Sequence, residues 1–168
     1  QFDHLPEHSI ELQATVLARL LGPARFKMAA FLLPDACNPA CQASLNRFAN
    51  GLADFAAERD AAMLIVAGAD LSHVGPRFGD DRPIEPAWLS QVAAVDKAAI
   101  EQLRFGQPEG FVEHLRRARN QTRVCSGGSL YVLRRALQDA SWQDLGYHQA
   151  SDPDSGTCVT CIAAALWR

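Results

Sequence analysis

No apolar run in this chain approaches the roughly 20 residues that a membrane-spanning helix requires. The longest, Ala61–Gly68 and Cys161–Trp167, have the length of strands, so no membrane segment is expected. Cysteine is also sparse. Five thiols, an odd number, are scattered through 168 residues, unlike the dense pairing of a small secreted scaffold, and this usage points to a reducing cytoplasm. The chain lacks an excess of one charge as well. Charged residues make up 21% of it, the formal net charge is −3 and no block of like charge occurs. The footprint of a protein that binds nucleic acid or an anionic membrane is therefore missing, and a small molecule or peptide is the expected partner. Gln1 is not preceded by an initiator Met, and no basic-then-apolar leader follows it, so the expectation is a portion of a longer protein. No repeat, low-complexity tract or linker divides residues 1–168, which are read as one domain. What the chain does have is a 48% hydrophobic content, enough at this length to bury roughly 70% of its unfolded surface.

Ile10, Leu12, Val16, Leu17, Leu20 and Leu21 recur at helical spacing, and Gly22-Pro23 supplies a stop. Phe26–Leu33, closed by Pro34, predicts a strand. Leu45, Phe48, Ala49, Leu52, Phe55 and Ala56 predict a second helix ending near Arg59. Ala62–Ala67 is a continuous apolar run ahead of Gly68, the pattern of a strand covered on both faces of a parallel sheet. Three further helices are marked by Trp88, Leu89, Val92, Val95, Ala99, Ile100 and Leu103, by Phe111 and Leu115, and by Leu130, Leu133, Ala136 and Leu137. Tyr147–Ala150 and Thr157–Leu166 read as late strands around the turn 151–156. The order predicts an α/β fold with a mostly parallel or mixed central sheet flanked by helices.

Asp70-Leu71-Ser72-His73 follows directly on the apolar run, where ligands gather in open α/β sheets. From one tight loop Asp70 can orient the His73 imidazole, or both can face a metal; equally, Asp70 can cap the next segment while His73 lies in solvent. His8 stands at the mouth of the first helix, a place where most histidines are solvated. Cys125 precedes Ser126-Gly127-Gly128 at a helix start, where backbone N–H groups favour a thiolate, although a buried structural thiol fits as well. Cys37, Cys41, Cys158 and Cys161 have spacings that suggest a four-thiolate zinc clip, but Cys158 and Cys161 would point to opposite faces of a strand. Gly127-Gly128 has no phosphate-loop partner. His114 reads as solvated and His148 as structural. No G-x-S-x-G occurs, which sets Ser9 and Ser72 aside as nucleophiles.

The stretch Glu7-His8-Ser9-Ile10-Glu11-Leu12-Gln13, then Asp70-Leu71-Ser72-His73, Cys125-Ser126-Gly127, and Tyr147 with Val159 and Ala163–Ala165, in that order, resembles the Memo-like family, in its AmmeMemoRadiSam system protein B branch. The resemblance implies a fold related to class III extradiol dioxygenases, with this chain as the C-terminal two thirds. It also implies a metal pocket with His8 and Cys125 as ligands and with Asp70 and His73 as ligands or catalytic acid–base groups. Iron or copper is the implied metal, with zinc as a further candidate. The family's upstream "HAGY"-type histidine segment does not occur here, Ala14-Thr15-Val16-Leu17 replaces a Leu-Pro-Phe-Leu-like stretch, and Ala69 stands where Ser is common. Two functions follow as expectations. One is a metal-dependent, dioxygenase-like redox enzyme acting on a small molecule. The other is a non-catalytic binding or adaptor module for a peptide or metabolite. Self-association into a homo-oligomer through exposed strand edges is expected as well.

Overall fold

The computed structural model describes residues 8–23, 25–58 and 63–167. Helix α1 (His8–Leu21) carries Glu11 in its first turn and Arg19 in its last, each placed to complement the helix dipole. Gly22 ends it at φ +89°, its N–H donating to the Ala18 carbonyl at 3.0 Å; the left-handed position favours glycine. Helices α2 (Gln42–Ala57), α3 (Pro86–Arg104), α4 (Pro108–Arg117) and α5 (Gly127–Ala136) follow. Pro86 and Pro108 open their helices, where a missing N–H costs nothing. Strands β1 (Asp70–Val74), β2 (Ser141–Asp152) and β3 (Thr157–Trp167) form a sheet of order β1-β3-β2.

The core lies between the helices and one face of this sheet. Leu45 and Ala49 of α2, Leu103 of α3, Phe111 and Leu115 of α4 and Tyr131 of α5 meet Leu71 of β1 in one buried cluster. A smaller cluster joins Val74, Val92 and Cys158 to Ile84, Trp88 and Leu89. Truncating a residue such as Phe111, fully buried here, costs about 3–5 kcal/mol in comparable cores. The polar centre of the interface is Asp96 of α3, buried at 1% exposure. Its Oδ1 accepts from the Ser72 hydroxyl at 2.6 Å, and its Oδ2 accepts from Thr160 at 2.6 Å and Tyr147 at 2.7 Å.

The α/β content agrees with the sequence reading, and all five helices stand where their apolar spacing put them. The strand directions differ. Both pairings, β1 with β3 and β2 with β3, are antiparallel, where a mostly parallel or mixed sheet was expected. The reason lies in the two early apolar runs. Residues 26–35 and 63–69 form no strand, and neither 26–33 nor 63–69 enters a backbone–backbone hydrogen bond among the described residues. Met28, Phe31, Leu64 and Val66 stand exposed, so the continuous apolar pattern did not correspond to a covered strand. Ala62, the expected start of the second run, lies outside the described residues. Asp70–Val74, read as a loop following a strand, is itself a strand. No described helix is long and apolar enough to cross a membrane.

Two local devices hold the connections. Gly128 lies so close to the Pro34 carbonyl oxygen that a Cβ there would collide with it, with the Leu33 side chain a further 3.4 Å contact. This close approach, and not a phosphate, explains the second glycine of Gly127-Gly128. After β1, the chain turns through Gly75–Asp80, and Asp80 binds it down. The carboxylate accepts from Gly75 N–H at 2.7 Å and takes the Arg123 guanidinium in bidentate fashion at 3.0 and 2.8 Å. The hydrogen bond from Arg123 holds the Asp80 carboxyl below its ordinary range, with burial opposing.

Gly128→Ala is expected to destabilise the protein by roughly 1–3 kcal/mol, the usual cost of overpacking, read from the urea midpoint. Asp80 has a lowered folded-state pKa, so its contribution is complete above the unfolded value near ~3.9 and is lost as pH falls through the lower folded value. Asp80→Asn should therefore cost about 1–3 kcal/mol at pH 7 and progressively less at acid pH. A pH-independent difference between the two proteins would contradict the pairing.

Candidate functional site

The geometry of Asp70 and His73 depends on an irregularity in β1. Asp70 pairs with Cys161 and His73 with Val159, so three steps along β1 match two along β3. One extra residue is inserted, and Leu71 and Ser72 are buried in succession. In a regular strand, residues three apart point to opposite faces; this bulge turns Asp70 and His73 to the same one. His73 Nε2 lies 3.7 Å from Asp70 Oδ2, with His73 largely covered at 16% and Asp70 open at 56% exposure.

The imidazole is fixed from behind. Its Nδ1 lies 3.1 Å from both the Leu71 and the Arg123 carbonyl oxygens. Carbonyls only accept, so Nδ1 donates to them, and Nε2 is the ring nitrogen that faces the Asp70 carboxylate. Phe78 packs edge-on against the ring at 5.1 Å. The backbone is held as well, since His73 N–H donates to the Thr122 carbonyl at 2.7 Å and Arg123 donates to the His73 carbonyl at 3.2 Å. Arg123 sits at φ +58°, an uncommon conformation for a residue with a side chain, which its contacts with His73 and Asp80 compensate.

Cys125 is exposed next to this pair. Its Sγ lies 3.5 Å from the Ser126 hydroxyl, and that hydroxyl accepts the Asp70 N–H at 3.2 Å. Ser126 thus ties the start of α5 to the start of β1. His8 is more remote: it is strongly exposed in the first turn of α1, 3.8 Å from Glu11. The described link from α1 to this region is Gly68, against which Gln13 and the Ser9 carbonyl rest. The donor types expected for a metal, imidazole nitrogen, carboxylate oxygen and thiol sulfur, are therefore on one side of the molecule. Among the described residues, however, no group of three or more His, Cys, Asp or Glu side chains is disposed to hold an ion. His73 and Asp70 fit as adjacent donors, and the described residues do not close a shell around them.

Strand register adds two residues to this face. His148 of β2 is directly opposite Cys161 of β3, which is directly opposite Asp70 of β1. All three share the face that also carries His73. His148 and Cys161 line a shallow groove of about 240 Å³ with Gly146 and Ala163. Burial raises the Cys161 thiol pKa, and the nearby Asp70 carboxylate raises it further, so it is held as a neutral thiol. On the opposite face burial, with the Asp96 hydrogen bond second, keeps the Tyr147 phenol protonated far above its ordinary range. The four-thiolate clip does not form: Cys37 and Cys41 pack on the larger core cluster, Cys158 is in the smaller one, and Cys161 lies on the other face. His114, expected in solvent, is half-buried, and its Nε2 has no hydrogen-bond partner among the described residues.

Comparison with known proteins bears on this site. A protein memo-1 homolog of Caenorhabditis elegans is 24% identical over 139 residues, covering 81% of this chain and 37% of the worm protein. A MEMO1 family protein of Thermus thermophilus is 39% identical over 66 residues, which is 39% of this chain and 19% of that relative. The chain thus matches less than two fifths of the length of either. The family model described as Memo-like protein matches residues 1–161, a span that includes α1, β1, the Cys125 turn and most of the β2–β3 hairpin, and the chain belongs to the Memo-like family.

Proposed function

We propose that this chain contributes the Asp70–His73 pair, with Cys125 and His8 beside it, to a metal pocket, and that the protein is a metal-dependent redox enzyme acting on a small molecule. The observation that carries the reading is the His73 ring: Nδ1 is committed to two carbonyls and Nε2 is presented beside a carboxylate. Backbone carbonyls that fix the far nitrogen of an imidazole are the usual support of a metal-ligating histidine. Iron or copper held there would supply one-electron chemistry, and zinc would supply Lewis acidity alone. The chain's own residues have separate parts. His73 offers a lone pair or takes a proton at Nε2, Asp70 sets the charge next to it, and Cys125 offers an accessible sulfur. A dioxygenase-like fold and a cytoplasmic setting, which suits five free thiols, belong to the same proposal.

A second reading, a non-catalytic binding module, is favoured by one observation. Leu12, Val16 and Leu20 of α1 stand exposed, as do Met28, Phe31 and Leu64, and the 26–33 and 63–69 backbones are unpaired among the described residues. Such edges accept an added strand, and a second copy of the chain is the proposed occupant.

Elemental analysis of anaerobically purified protein separates the two readings. Near-stoichiometric iron or copper, with affinity falling by at least about tenfold in His73→Ala and also in Cys125→Ser, is expected for the metal pocket. Metal content indifferent to His73→Ala would overturn it. For the binding module, sedimentation velocity should show a concentration-dependent dimer that Leu64→Lys abolishes.

A further inference from the structure

We propose that Asp96 is a positioning residue for the Asp70–His73 pair: through Ser72 it holds the β1 bulge that puts both side chains on one face. This inference rests on the reading of that pair as the functional site. It concerns a residue that touches neither Asp70 nor His73 in any recorded contact and lies on the opposite side of the sheet.

The bulge has a weak point of its own. With Leu71 and Ser72 both turned inward, a polar hydroxyl enters an apolar core, and it is stable there only with a partner. Asp96 Oδ1 supplies one at 2.6 Å, and the Ser72 N–H, displaced from regular ladder pairing, donates to the Thr160 hydroxyl at 2.8 Å. Thr160 in turn donates to Asp96 Oδ2, as does Tyr147. One carboxylate thereby fastens the inserted residue of β1 to β3 and β2 together. No salt bridge among the described residues includes Asp96, so three hydroxyl donors alone offset its burial. An apolar side chain would fill the same space without the cost of burying a charge; what it could not do is hold Ser72 inward. If Ser72 is released, the bulge can be lost from between Asp70 and His73, and in a regular strand residues three apart point to opposite faces.

The test uses metal-free protein, so that its outcome is independent of whether the pocket binds a metal. The readout is the ¹⁵N chemical shift of His73 Nε2, and specifically the change that Asp70→Asn makes in it. In the parent, Asp70→Asn should move this resonance, because the carboxylate faces Nε2. In Ser72→Ala and in Asp96→Asn, with folding verified by the amide spectrum, the effect of Asp70→Asn should be lost, while Ser72→Thr, which keeps the hydroxyl, should restore it. A folded Ser72→Ala protein that keeps the full Asp70 effect would overturn the proposal, and so would a parent in which Asp70→Asn leaves Nε2 unmoved. Should Asp96→Asn fail to fold, the Ser72→Ala and Ser72→Thr pair still decides. A parent protein that binds no metal, yet shows the expected pattern of Nε2 shifts across these variants, would instead sink the metal reading alone.

Discussion

A single buried carboxylate sets the relation between helix and sheet in this protein. Asp96 projects from α3 into a space bounded by all three strands and accepts one hydrogen bond from each. Hydrogen bonds to a charged group contribute about 1.5–3 kcal/mol each, and removing one partner leaves the others unsatisfied in a low-dielectric interior. Apolar contacts such as those of Val92, Ala99 and Leu103 hold α3 against its neighbours but tolerate sliding. The hydroxyl contacts do not, because each has a direction. Register, bulge and helix rotation are therefore fixed by one cluster, while the apolar core around Phe111 and Tyr131 supplies most of the burial.

The two faces of the sheet divide the work that follows. Toward the helices, Cys158, Thr160 and Tyr147 are committed to packing or to the Asp96 cluster. On the other face the same strands present Val159, Cys161, His148, Asp70 and His73 in cross-strand register. Groups able to bind or react are collected on a surface whose shape is determined from behind. The side chains of the site face, Cys161 and His148 among them, are thus separate from the contacts that hold the strands together.

The sequence showed helices well and strand pairing poorly, for a physical reason. Helical periodicity is a local property, and Leu45, Ala49, Ile100, Phe111 and Tyr131 all lie in helices marked by spacing or turn signals. Strand pairing is nonlocal. The run 63–67 has the composition of a doubly covered strand, yet its residues pair with nothing described, and β1 begins only at Asp70. Motif order brought out Asp70, His73, Cys125 and His8, and the structure places the first three near one another through Ser126 and the bulge. Asp96 was invisible to that reading because an aspartate inside an amphipathic helix looks like a solvated residue. Its only signal was position: it falls one residue after Val95 and three before Ala99, on the apolar side of α3. Cys161 and His148 could not be associated at all without the register of β2 on β3.

Exposed apolar surface and a well-fastened polar cluster occur here in one chain, and the contrast bears on how the site is assembled. The Asp70–His73 side is determined by contacts wholly within the described residues: the Asp96 cluster, the Asp80–Arg123 pair and the two carbonyls on Nδ1. The α1 side is more open. None of its residues is buried, and Ser9 and Gln13 approach Gly68 among the described residues. A helix with three exposed leucines, Leu12, Leu20 and Leu21, gains stability chiefly by covering that face. His8 rides on this helix. Its place relative to His73 is therefore set by whatever α1 packs against, whereas the Asp70–His73 geometry is already complete. Any pocket that uses both histidines is consequently built in two steps, one intrinsic to the sheet and one dependent on the docking of α1.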